Sequence, residues 1–118
     1  MSDHFKHYLA GQITLLPEVL PMISPNINSY TRMIKGYWAP THANWGLDNR
    51  TCALRVIPGN ESNLRLEYRI AAADSNPYLV LAASIACGLY GIENKIDLPP
   101  MVNGNAYDLK TSLTNLEL

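Results

Sequence analysis

The chain has 118 residues, 47% of them apolar, and a formal net charge of −1. That length holds one small domain at most, and the apolar share suffices for a core, which excludes a disordered chain. The near-neutral balance is not that of a nucleic-acid binder, and no apolar run approaches the roughly 20 residues of a membrane span.

In chain order, residues 2–22 read as a helix. Ser2 or Asp3 can cap it, and Phe5, Tyr8, Leu9, Ile13 and Leu16 recur at helical spacing. Pro17 is expected to break it, leaving "PEVLPMI" as a short second turn. The opening "MSDHFKHYLAGQ" has neither a basic n-region nor a small-residue cleavage site, so no export signal is expected. Cys52 and Cys87 lack partner spacing and read as reduced, buried residues of a cytoplasmic protein.

From Pro25 to Ile70 the texture changes to short runs punctuated by Gly36, Pro40, Pro58 and Gly59, the pattern of strands joined by turns. "TCALRVI" reads as one strand, with Arg55 sharing a face with Ala53 and Ile57. "LRLEYRI" alternates cleanly: Leu64, Leu66, Tyr68 and Ile70 take one face, Arg65, Glu67 and Arg69 the other. "DSNPYLVLAASIACGLYGIENK" predicts a second helix, capped by Asp74 or Ser75 with Pro77 in its first turn. It is apolar almost all round and is expected to be buried. The remainder, with Pro99, Pro100 and Gly104, reads as irregular, and the tail "SLTNLEL" reads as cut short. The class is α+β: few antiparallel strands packed with helices, too thin to cover its own charged strand faces.

All five arginines (Arg32, Arg50, Arg55, Arg65 and Arg69) lie between residues 32 and 69, with only Asp48, Glu61 and Glu67 as acids. Guanidinium offers a planar donor fork suited to carboxylate and phosphate, so the window favours an anionic ligand. Arg65, Glu67 and Arg69 project from one strand face about 7 Å apart. A carboxylate between arginines stays ionised and suits a hard cation; the same pattern also fits a solvated ladder of ion pairs. His4 and His7 lack metal-ligand partners at suitable spacing. His42, Trp38 and Trp45 read first as packing residues.

The segments "NSYTR", "GYWAP", "WGLDNRTCALRV", "LEYR", "DSNPYLVLAA" and "GLYGIENK", in that order, resemble the C-terminal catalytic region of the glutamine synthetase family. The resemblance covers roughly residues 5–107. It implies that residues 1–118 are part of a catalytic domain whose first portion, and a preceding β-grasp domain, lie outside this chain. It further implies phosphorylation of the glutamate side chain by ATP, with Mg²⁺ or Mn²⁺, and displacement of phosphate by ammonia.

By position, Arg32, Arg50 and Arg69 match glutamate-binding arginines, Arg50 also contacting the transferred phosphoryl group as the catalytic one. Arg55 and Arg65 match nucleotide and phosphate arginines, and Glu67 a metal ligand. Trp38 stands in an amine-entrance flap where ammonia-using members carry a glutamate, a departure that raises the alternative of a γ-glutamylamide or polyamine ligase. Tyr107 falls where some bacterial members carry a modified tyrosine, and its surroundings here read as structural. Most metal ligands belong to the missing portion, and one loop comes from a neighbouring subunit of the family's double ring. The isolated chain is therefore expected to be inactive without the remainder of the enzyme. A non-catalytic interaction or regulatory domain, or a self-associating remnant, is the competing reading.

Overall fold

A computed structural model describes residues 1–31, 33 and 39–108. Arg32 and Trp38 therefore lie outside the described residues. The elements run α1 (Asp3–Ile23), α2 (Ile27–Thr31), β1 (Trp45–Leu47), β2 (Leu54–Ile57), β3 (Arg65–Tyr68) and α3 (Pro77–Glu93), followed by a 3-10 turn at Ala106–Asp108. The α+β class holds. Two compact units divide the chain: 1–26 with 71–100, and 27–70 with 101–118.

In the first unit α1 and α3 pack together. Ser2 caps α1, its hydroxyl accepting from the Phe5 N–H at 3.1 Å. Contrary to expectation, the helix continues through Pro17 and Pro21. Each proline removes one i→i−4 bond, but the buried stripe Leu9, Ile13, Leu16, Leu20 and Ile23 keeps helical spacing on both sides of the breaks. Burial of that stripe outweighs the two lost bonds. A buried Leu or Ile stabilises by about 1.5–3 kcal/mol, so the stripe together outweighs the roughly 3 kcal/mol that a lost bond and a ring clash cost at each interior proline.

The helices cross where side chains vanish. A Cβ on Gly11 would stand 2.2 Å from the Cys87 carbonyl oxygen, and one on Gly91 would stand 2.1 Å from that of His7. These contacts, with the Gln12 amide donating to the Ser84 carbonyl at 3.1 Å, show the helices to be antiparallel.

Asn76 caps α3, its side chain accepting from the Tyr78 N–H, with Pro77 at the first helical position. The expected caps, Asp74 and Ser75, fall one or two residues early. At the far end Lys95 adopts φ 47°, with Ile96 N–H donating to Gly91 and Lys95 N–H to Ile92. That double closure satisfies the last carbonyls without a glycine. The expected burial of α3 fails: only Ala83, Cys87, Gly88 and Gly91 are buried, while Tyr78 is 82% and Leu81 58% exposed. A small-residue face is enough for close packing on α1, and within the described residues the larger apolar side chains of α3 stay exposed.

The second unit holds a three-stranded sheet in the order β1-β2-β3. Pairing of β2 with β3 is antiparallel, placing Arg55 opposite Glu67 and Ile57 opposite Arg65. The β1–β2 pair is parallel, so the sheet is mixed rather than wholly antiparallel. A compact turn between residues 47 and 54 suffices because only three residues of β1 pair. In β2, Leu54 and Val56 are fully buried, whereas Arg55 and Ile57 are half-buried on the opposite face; the clean alternation expected of β3 is absent from its burial, Arg65 being exposed and Leu66, Glu67 and Tyr68 all half-buried. Trp45 and His42 are buried, as a packing role requires, and Thr41 Oγ1 lies 2.7 Å from His42 Nδ1. Short helix α2 carries most of the "NSYTR" segment, a helical turn where strands were expected.

Candidate anion site

Between β1 and β2 the backbone is shaped by Asn49. Its Oδ1 accepts from the Thr51 N–H at 3.0 Å and the Thr51 hydroxyl at 2.6 Å, a side-chain mimic of a backbone turn. Its Nδ2 donates to the Gly104 carbonyl at 2.8 Å, and Thr51 Oγ1 accepts from the Ala106 N–H at 2.9 Å. Val102 N–H donates to the Trp45 carbonyl at 2.9 Å. The turn and the 102–106 segment are thus stitched together. Gly46 permits this approach, because a Cβ there would stand 3.1 Å from both the Val102 carbonyl oxygen and Cys52 Sγ.

The result is an open cleft of ≈ 580 Å³ whose charged lining is Asp48, Arg50 and Arg55. Arg50 lies at its turn, exposed, with no side-chain hydrogen bond or ion pair recorded among the described residues. Arg55 reaches across the sheet face. Its Nε donates to Asp48 Oδ1 at 2.9 Å, Nη2 donates to the same oxygen, and Nη1 donates to Glu67 Oε2 at 3.0 Å. Both carboxylates, Asp48 first, raise the Arg55 pKa above its already high ordinary value, so it is always charged.

Arg69 is engaged within the chain. Its Nη1 donates to the Arg50 carbonyl, and Nε lies 3.6 Å from Glu67 Oε2. Here it braces the main chain that carries Arg50. Arg65 is exposed and, among the described residues, its side chain reaches the Asn63 carbonyl at 3.3 Å; it is not among the residues that line the cleft. Glu67 is held between two arginines as the sequence suggested, but they are Arg55 and Arg69, because strand register sets Arg55 directly opposite. Sequence reading counted Asp48 without a role and passed over Asn49 and Thr51. The "DNRT" run of turn-forming residues was the available signal.

The resemblance implies a divalent cation, and the donors available to it here are few. Glu67 supplies one carboxylate, and among the described residues no group of three or more His, Cys, Asp or Glu side chains could hold a metal ion. A hard cation takes six or more oxygens, so the residues fit it only as one ligand of a site completed elsewhere. Both cysteines are free and buried. Burial pushes the Cys52 thiol up to about 11 against the lowering effects of the Arg69 charge and the Thr51 hydrogen bond, so it is no nucleophile near neutral pH. The Tyr107 hydroxyl is buried and makes no hydrogen bond among the described residues. No helix among them is long and apolar enough to cross a membrane.

Among the described residues, a small mixed sheet sets an arginine without a side-chain partner beside a clamped one, donors of a kind chemically suited to phosphate or carboxylate groups. Residues 1–117 match the family described as "Glutamine synthetase, catalytic domain", and the chain belongs to that family. It is 55% identical over 111 residues to a type-1 glutamine synthetase of Dictyostelium discoideum, covering 92% of this chain and 21% of that protein. It is 50% identical to a gamma-glutamylethanolamide synthetase of Streptomyces coelicolor and 48% identical to a gamma-glutamylputrescine synthetase of Escherichia coli. Each of these two alignments covers 91% of this chain and 23% of the relative. The chain thus spans less than a quarter of the length of these relatives.

Proposed function

We propose that this chain is the carboxyl-terminal catalytic segment of an ATP-dependent ligase that joins the glutamate side chain to an amino nitrogen through γ-glutamyl phosphate. The observation that carries the reading is the exposed Arg50 guanidinium beside the clamped Arg55 in one cleft. Phosphoryl transfer needs positioning and charge neutralisation, which guanidinium groups supply. In this reading Arg50 contacts the transferred phosphoryl group and the glutamate, and Arg55 and Arg65 serve the nucleotide. Arg32 and Arg69 bind glutamate, Arg69 having first to release the Arg50 carbonyl. Glu67 gives one ligand to Mg²⁺ or Mn²⁺, which when bound neutralises phosphate charge. The remaining ligands, and the neighbouring-subunit loop, come from the rest of the enzyme, and the protein is cytoplasmic.

Ammonia is the simplest second substrate. Two observations favour a larger amine: Trp38 replaces the flap glutamate expected in ammonia users, and two of the three relatives above are named as synthetases of γ-glutamylated amines. Bulk in place of a carboxylate removes an ammonium counter-charge and reshapes the entrance. The test is to mix this chain with a separately made amino-terminal portion of the enzyme. Phosphate release is then followed with glutamate, ATP and, in turn, ammonia, ethanolamine and putrescine. Release that requires both parts and glutamate is expected. No release with any amine, both parts being folded, would sink the proposal.

The exposed apolar side chains of α3 favour a second reading, a non-catalytic domain that docks on intact subunits. Co-elution with an intact homologue, without activity in any mixture, is the outcome that distinguishes it.

A further inference from the structure

We infer that Asp48 is a positioning residue for nucleotide binding: it fixes the Arg55 guanidinium across the sheet so that its free edge faces the cleft ligand. The inference rests on the ligase reading above and adds a residue to it. Four observations carry it. Asp48 follows β1 directly and lines the same cleft as Arg55. Its N–H donates to the Val56 carbonyl at 2.8 Å, which anchors its backbone to the strand that bears Arg55. Its φ of 49° lies in the left-handed region, which Asp tolerates better than most residues. One carboxylate oxygen then takes both Nε–H and an Nη2–H of Arg55, while Glu67 takes an Nη1–H from the other side.

A guanidinium has five N–H donors. Three are committed to the two acids, leaving one on each Nη for a phosphate oxygen. An arginine held by only one of these acids would sample several orientations, and ordering it would oppose binding. Clamped from both sides, it is already ordered. Asp48 does not itself touch the ligand in this arrangement; it acts through Arg55.

Position and charge make opposite predictions, which makes the inference testable. Removing a carboxylate beside a phosphate site should tighten ATP binding if charge alone matters. Loss of positioning should weaken it. Asn also tolerates a positive φ, so Asp48→Asn is the first variant, made in the protein that carries this chain. Asp48→Gly, which suits the same backbone and removes the acceptor entirely, is the second and guards against misfolding of either one. With glutamate and the preferred amine, KM for ATP should rise about ten-fold, the scale of one charge-assisted hydrogen bond, with kcat and KM for glutamate within about two-fold. An unchanged or lowered KM for ATP in a folded variant overturns the inference.

A second readout does not need turnover. In the ¹⁵N spectrum of the chain, the Arg55 Nε–H should be protected from exchange near neutral pH and lose that protection in both variants. A wild-type signal without protection overturns the inference. A wild-type protein inactive with every amine, yet with this protection intact and lost in both variants, counts against the ligase reading and leaves the Asp48–Arg55 arrangement supported.

Discussion

Arg50 and Arg69 show how two arginines in one window are put to different uses. Arg50 is exposed, with no side-chain partner recorded among the described residues, whereas Arg69 is bound to the Arg50 carbonyl and faces Glu67. An exposed side chain without a partner contributes little to stability. Arg50→Ala should therefore change unfolding free energy by no more than about 0.5 kcal/mol in a urea titration. In the reconstituted enzyme the same change should lower phosphate release about 10²–10³-fold, the usual effect of removing one transition-state donor. Reduced stability with retained activity would reverse its assignment. The arginines, and Glu67 as a carboxylate held between two of them, are readable from residue type alone. Which two is not, because Arg55 meets Glu67 only through a register that pairs residues twelve positions apart.

Among the elements, the α1–α3 pair is held by an absence of side chains as much as by their presence. Gly91 faces the His7 carbonyl oxygen and Gly11 Cα, and an added Cβ would lie 2.1 and 2.7 Å from them. These are main-chain atoms, so nothing flexible can give way. Gly91→Ala should destabilise by about 1–3 kcal/mol through overpacking, reduced by up to about 1 kcal/mol from alanine's better helix propensity. Chemical denaturation followed by circular dichroism reads the difference, and a more stable variant would show that the crossing is looser. Periodicity revealed both helices, and alternation revealed β2 and β3. It failed at Pro17, because local rules weigh a missing N–H and cannot weigh a buried stripe that continues beyond it. It also missed β1, and with it the parallel β1–β2 pair, since a strand of three residues is too short to show a period.

Among the described residues, α3 leaves a row of large apolar side chains exposed. On α3, Leu81 is 58%, Ile85 47% and Leu89 52% exposed. If the proposed enzyme covers this face with its amino-terminal portion, charges placed there should be harmless in the chain alone and ruinous in the assembly. Leu81→Glu with Ile85→Glu should shift the unfolding free energy of the chain by less than about 1 kcal/mol. The same pair should abolish reconstituted phosphate release and co-elution with the amino-terminal portion. Reconstitution at wild-type strength by the double variant would place the covering surface elsewhere.

By itself the sequence determined the family, the α+β class, a start of α1 at Ser2 or Asp3, strands at β2 and β3 and the concentration of guanidinium groups. All of these depend on residue identity and on neighbours within about one helical turn or two strand positions. Tertiary structure alone decided that Asp48 and Glu67 clamp Arg55, that Arg69 braces the turn bearing Arg50, and that, among the described residues, Leu81, Ile85 and Leu89 of α3 stay exposed. Those outcomes depend on distant segments meeting in one register, and on what a buried surface is worth against a broken hydrogen bond. No local pattern carries either quantity.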